Sequence, residues 1–123
     1  FNLDSSGNGI FNANVSAYSD LRLKEDVKTI DNALDKVSKL RGIEYTRKET
    51  KAREIGVIAQ EVKEIVPELV TMENTKSDIN PEGLEDLHTM KYANTVGLLI
   101  EAIKELKVDL DNHKKHCTCG ASS

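Results

Sequence analysis

The sequence predicts an α+β fold: a small mixed body with a β-hairpin and short helices, followed by a long C-terminal helix with a coiled-coil seam. Three observations lead there. Residues 43–58 alternate apolar and polar positions on either side of a polar tip, the pattern of a hairpin. Stretches of helical spacing flank it, one followed by Gly42 and one by Pro67. Val96, Leu99, Ile103, Leu106, Leu110 and His113 then recur at 3-4-3-4-3 spacing, an a/d seam of about two and a half heptads.

Composition bounds the rest. The chain has 123 residues, room for one ordinary domain. Hydrophobic residues make up 38% and charged residues 31%, with no Trp, so the core is thin and a partner chain is expected to cover part of the buried surface. The net charge is −4 and no basic stretch has aromatic residues interleaved, which argues against nucleic acid as a partner. No apolar run approaches the ~18 residues of a membrane span. The N-terminal residues carry no basic region followed by an apolar core. Neither a membrane partner nor a signal peptide is expected. Cys117 and Cys119 both lie in the tail and cannot cross-link the body.

In chain order, residues 1–18 contain no Lys, Arg or Glu and read as the end of an upstream unit: short strands joined by tight turns, or a tether. Leu21 to Val27 is expected to be extended or irregular. Thr29 can cap a helix over about 31–41, with Ile30, Leu34, Val37 and Arg41 along one stripe and Gly42 as its stop. Ile43 to Arg47 is a half-buried strand, 48–53 a polar tip and Ile55 to Ile58 the returning strand. Gly56 there implies a bulge or close approach of another backbone. A helix over about 60–66 ends at Pro67. Leu69 to Met72 is a third strand, 73–83 a loop and the body's most mobile segment, and 87–92 a short strand with Met90 and Tyr92 on one face.

The long helix is expected over about 93–113. Val96 and Ile103 at a, with Leu99 and Leu106 at d, favour two strands, whereas Ile100 and Ala102 widen the apolar face and favour more. Asp109 and Lys114 fall at g and the following e, the spacing of an interchain ion pair. The tail holds one cluster, His113, His116, Cys117 and Cys119, where zinc sites usually pair two. It reads as disordered, with no metal or other cofactor, and a metal-binding tail is the weaker alternative.

The chemistry concentrates in Ser19-Asp20-Leu21-Arg22-Leu23-Lys24, at the border where the chain turns heavily charged. A nucleophile and a base at a border suggest a cut site. Alone, Ser19 is a turn or cap serine and Lys24 a solvated charge. To accept the serine proton the amine must be neutral, which requires burial or a nearby cation. The Ser19 hydroxyl lies one residue from the Tyr18 carbonyl, so an N-to-O acyl shift followed by ester hydrolysis is within reach. Attack by an activated water on the same bond is the rival route.

Three segments in order support a resemblance: residues 19–24; Ile55-Gly56-Val57-Ile58-Ala59-Gln60-Glu61-Val62 with Pro67-Glu68-Leu69-Val70; and Leu98-Leu99-Ile100-Glu101-Ala102-Ile103-Lys104-Glu105-Leu106. Together they resemble the C-terminal intramolecular chaperone autoprocessing domain of bacteriophage tailspikes, tail fibres and neck appendages, of endosialidase type, to which the myelin regulatory factor domain is related. The resemblance implies a homotrimer, its long helix forming a parallel trimeric coiled coil, that helps an upstream fibre segment of the same chain to fold, in the host cytoplasm during virion assembly. The domain then cuts itself off with a serine–lysine dyad, leaving the mature upstream part in the virion tail. Carried over, the dyad is Ser19 and Lys24, Asp20 is a motif position and the scissile bond is Tyr18–Ser19. Many members have His just before the Ile-Gly pair, where this chain has Glu54, which would take its place or slow the cut. The implied division is 1–18 upstream segment, 19–116 chaperone domain and 117–123 tail. A non-catalytic trimerisation and folding module of a viral fibre is the alternative.

Overall fold

The structure is a computed structural model that describes residues 2–4, 8–73 and 84–116. At its start β1 (Asn2–Leu3) pairs antiparallel with β2 (Gly9–Ile10), the short-strand reading of this stretch. From residue 8 through residue 29 every side chain is exposed. Beyond β2, a 3-10 turn, Leu21–Leu23, interrupts an otherwise irregular run.

The first helix, α1, spans Ala33–Lys39 and is shorter than its sequence stripe implied. Thr29 does not cap it. Asn32 does, in the left-handed conformation (φ 53°) that Asn tolerates, and makes no side-chain cap bond. The free N–H groups of its first turn are met from far away: Ala33 N–H donates to Glu105 Oε2 at 2.8 Å and Leu34 N–H to Glu105 Oε1 at 3.1 Å. Leu40, extended, closes the other end.

The hairpin forms from β3 (Ile43–Thr46) and β4 (Arg53–Gly56), in register from Ile43 opposite Gly56 to Thr46 opposite Arg53. The returning strand therefore sits two residues earlier than expected. Val57 packs on the core and Ile58 takes the cap position of α2 (Ala59–Ile65), so these apolar residues leave the sheet instead of extending it. Pro67 ends α2 as expected and opens a 3-10 turn, Pro67–Leu69. Next, β5 (Val70–Glu73) pairs antiparallel with β6 (Leu87–Met90). The loop expected over 73–83 lies, beyond Glu73, outside the described residues. Tyr92 is not on a strand; it opens a 3-10 turn, Tyr92–Asn94, and its hydroxyl stands 3.0 Å from where a side chain on Gly56 would begin. That is the close approach Gly56 implied, made by a side chain and not by a backbone.

The C-terminal helix, α3, spans Thr95–His116, so Lys114 to His116 continue the helix and are not tail. The cysteines lie outside the described residues. Ala33, Val62, Val66, Leu69, Leu98 and Ala102 are the buried hydrophobic core, a small one, with Ile30, Val37, Val57 and Met90 among the residues packed around it. Leu98, 2% exposed, and Ala102 turn one face of α3 to the body. Val96, Leu99, Ile100, Ile103, Leu106, Val108 and Leu110 point elsewhere and remain 43–65% exposed. The helix thus has two apolar faces, of which its own chain covers one.

Candidate functional site

Asp20 builds the site locally. Its carboxylate caps the Leu21–Leu23 turn, Oδ1 accepting the Arg22 N–H at 2.8 Å. The Arg22 guanidinium closes a fork on the same carboxylate, Nε to Oδ1 at 3.1 Å and Nη2 to Oδ2 at 2.8 Å. Those bonds, first from the Arg22 side chain and then from its backbone, hold the Asp20 carboxyl below its ordinary value; the Lys24 charge acts in the same direction. Asp20 in turn raises the already high value of Arg22. The turn closes with Leu23 N–H on Asp20 O and Lys24 N–H on Leu21 O, both at 3.0 Å.

This closure folds the chain back on itself. Lys24 leaves the turn extended, and its Nζ donates to Ser19 Oγ at 2.7 Å. The structure thus brings together the two residues that the motif singles out, five positions apart. Tyr18, whose carbonyl would be attacked, is 95% exposed. Asp20 serves the turn and Arg22; its bonds do not reach Ser19 or Lys24.

Glu54 stands apart from this turn. It lies on β4 opposite Tyr45, and its carboxylate accepts from the Tyr45 hydroxyl at 3.1 Å and from Arg47 Nε at 3.0 Å. Arg47 first, then Tyr45, hold its carboxyl below the ordinary range. Among the described residues its bonds stay on the hairpin.

The residues of the expected trimer seam, Val96, Leu99, Ile103, Leu106 and Leu110, lie along the uncovered face of α3. Sequence reasoning missed Glu105. Its partners are 71 and 72 residues away, and no local pattern marks that separation. It missed the Asp20–Arg22 fork as well, although an Asp two residues before an Arg in a turn is a readable signal. Among the described residues, no three His, Cys, Asp or Glu side chains group as a metal site, and no helix is long and apolar enough to cross a membrane.

Residues 19–71 match the family described as chaperone of endosialidase, and the match begins at Ser19. The chain is similar to the long tail fiber protein Gp37 of Enterobacteria phage K3, at 37% identity over 99 residues, which covers 76% of this chain and 7% of that protein. The same protein of Enterobacteria phage T2 gives the same figures, 37% over 99 residues, 76% and 7%. Gp37 of Enterobacteria phage M1 is 34% identical over 117 residues, 89% of this chain and 43% of the relative. The chain therefore spans well under half the length of these three relatives.

Proposed function

We propose, from the match of residues 19–71 to the chaperone-of-endosialidase family, that this chain is the intramolecular chaperone at the C-terminal end of a phage tail-fibre protein. It trimerises through α3, assists folding of the fibre segment upstream of Ser19, and then releases itself by hydrolysing the Tyr18–Ser19 bond. The upstream part goes to the virion tail; the work is done in the host cytoplasm before that. Residues 1–18 belong to the fibre side and 19–116 to the chaperone.

The observation that supports self-cleavage is the Lys24–Ser19 bond of 2.7 Å, at the residue where the family match starts. As an ammonium, Lys24 donates to Oγ. Once it has lost its proton the direction reverses over the same distance, and the amine takes the hydroxyl proton. The Ser19 oxygen then attacks the carbonyl carbon of Tyr18. The carbon–nitrogen bond breaks as Lys24 passes that proton to the departing Ser19 nitrogen, which becomes a free amine, and Tyr18 is left as an ester on Oγ. Water hydrolyses that ester, leaving a carboxylate on Tyr18 and a free amine on Ser19. One water is consumed and Lys24 is regenerated.

One observation favours the alternative, a non-catalytic trimerisation module. Where the resemblance leads one to expect His, Glu54 stands, already engaged by Arg47 and Tyr45. Intact mass separates the two readings. The parent is expected as two pieces divided after Tyr18, and Ser19→Ala as one folded, uncut chain. A Ser19→Ala chain cut at the same bond overturns the dyad, and a parent that assembles yet stays whole leaves the non-catalytic module.

A further inference from the structure

Between α1 and the start of α3 lies a cavity of about 430 Å³. Its floor is core: Val66, Leu69 and Leu98, with Ile30 beside them. Lys28, Lys36, Asp31 and Glu68 are also among the residues that line it. None of these four charged groups makes an ion pair among the described residues. An apolar floor with unpaired charges of both signs suits a short peptide turn better than a uniformly charged small molecule.

The same chain presents such a turn. Leu21 and Leu23 are about 70% exposed on the 3-10 turn that the Asp20–Arg22 fork closes. Two carboxylates, Glu25 and Asp26, follow it and likewise make no ion pair among the described residues. We propose that the cavity of one copy receives the Leu21–Leu23 turn of a second copy. Leu23 sits on the apolar floor, and Glu25 and Asp26 face Lys28 and Lys36 of the receiving copy.

Two further features point to a second copy. Within one chain the turn is not seated, although Lys28, on the cavity wall, follows Leu23 by only five residues. Val96, at the start of the uncovered face of α3, is two residues in sequence from both Asn94 and Leu98, which line the cavity, so the open face begins at the cavity's end of the helix. A copy docked along that face therefore arrives beside the cavity. The contact is heterologous, and three copies each donating a turn to the next close into a ring. Pre-organisation of the turn lowers the entropy lost on docking. This inference rests on the self-cleavage reading in one respect: seating the turn removes water from Ser19 and Lys24, which bracket it.

The test uses a chain with Ser19→Ala, Cys117→Ser and Cys119→Ser, carrying Leu23→Cys and Glu68→Cys. Equal amounts of unlabelled and ¹⁵N-labelled chains are unfolded, mixed, refolded together and treated with a short bis-maleimide. Mass spectrometry of the linked peptides should show pairs with one labelled and one unlabelled half. Charge reversal at Lys36 (Lys36→Glu) should lower their yield and Asp26→Lys should restore it. Links only within one label mean the turn folds onto its own chain, and absence of links in the assembled protein means it does not dock; either overturns the proposal. Because Ser19 is replaced, the result is independent of whether the parent cuts itself.

Discussion

Ser19 and Lys24 touch because of what lies between them. Asp20 caps the turn, Arg22 clamps Asp20, and the extended Lys24 is left facing back toward the hydroxyl. That Ser19 and Lys24 can meet was legible because they are near neighbours in the chain. What engages Glu54 was not, because it depends on register: only the pairing of β3 with β4 sets Tyr45 opposite Glu54 and brings Arg47 alongside. Two predictions belong here. Lys24→Arg keeps the charge but removes the ability to accept a proton at working pH. It is expected to assemble and remain whole in an intact-mass time course, and efficient cutting by this variant would remove Lys24 as the base. The second concerns Asp20, whose carboxyl is held below its ordinary 3.8 mainly by the Arg22 side chain. A depressed carboxyl favours the structured turn above the unfolded value, and that contribution fades as pH falls through the folded one. Carbon-detected NMR titration of the Ser19→Ala chain should place the Asp20 midpoint below 3.8, and Arg22→Ala should move it back up.

At the scale of elements, the first hairpin strand, α2 and the long helix were readable from period and punctuation. The start of α1 was not. Its local sequence offers Thr29, but the helix begins where a carboxylate from α3 can reach its first N–H groups. The returning strand was misplaced for a related reason: alternation continues through Val57 and Ile58, and only the core decides that these residues turn away from the sheet. Glu105 couples α1 to α3. Glu105→Ala leaves two N–H groups of α1 unmet and is expected to cost about 1–2 kcal/mol. Chemical denaturation should show that loss, and hydrogen exchange should show it concentrated at Ala33 and Leu34. Unchanged exchange at those two amides would mean the cap contributes nothing.

The whole molecule is divided between what it covers and what it leaves open. Leu98 and Leu99 are adjacent, yet one is core and the other lies 43% exposed on the opposite apolar face. Leu106, also on the open face, is no part of the single-chain core. Leu106→Asp should therefore keep the helical content seen by circular dichroism while losing assembly, because a trimer would place three charges in one shared seam. Light scattering on parent and variant decides it: a parent that is monomeric at micromolar concentration refutes the trimer. The number of chains was not legible in the sequence, since seam residues and face width pointed in different directions.

The Glu105 cap also bears on time. A ribosome makes the chain from its N-terminus, so Ser19 emerges before α1, and α1 long before its cap. At about 5–20 residues per second, the 72 residues from Ala33 to Glu105 take roughly 4–14 seconds to appear. During that interval α1 has no partner for its first turn, and the open apolar face of α3 does not yet exist. A chain cut short before Glu105 would carry Ser19 and Lys24 but not the complete helix that caps α1 and supplies Leu98 and Ala102 to the core. Completion of the early part of this fold therefore waits on a helix made well after it.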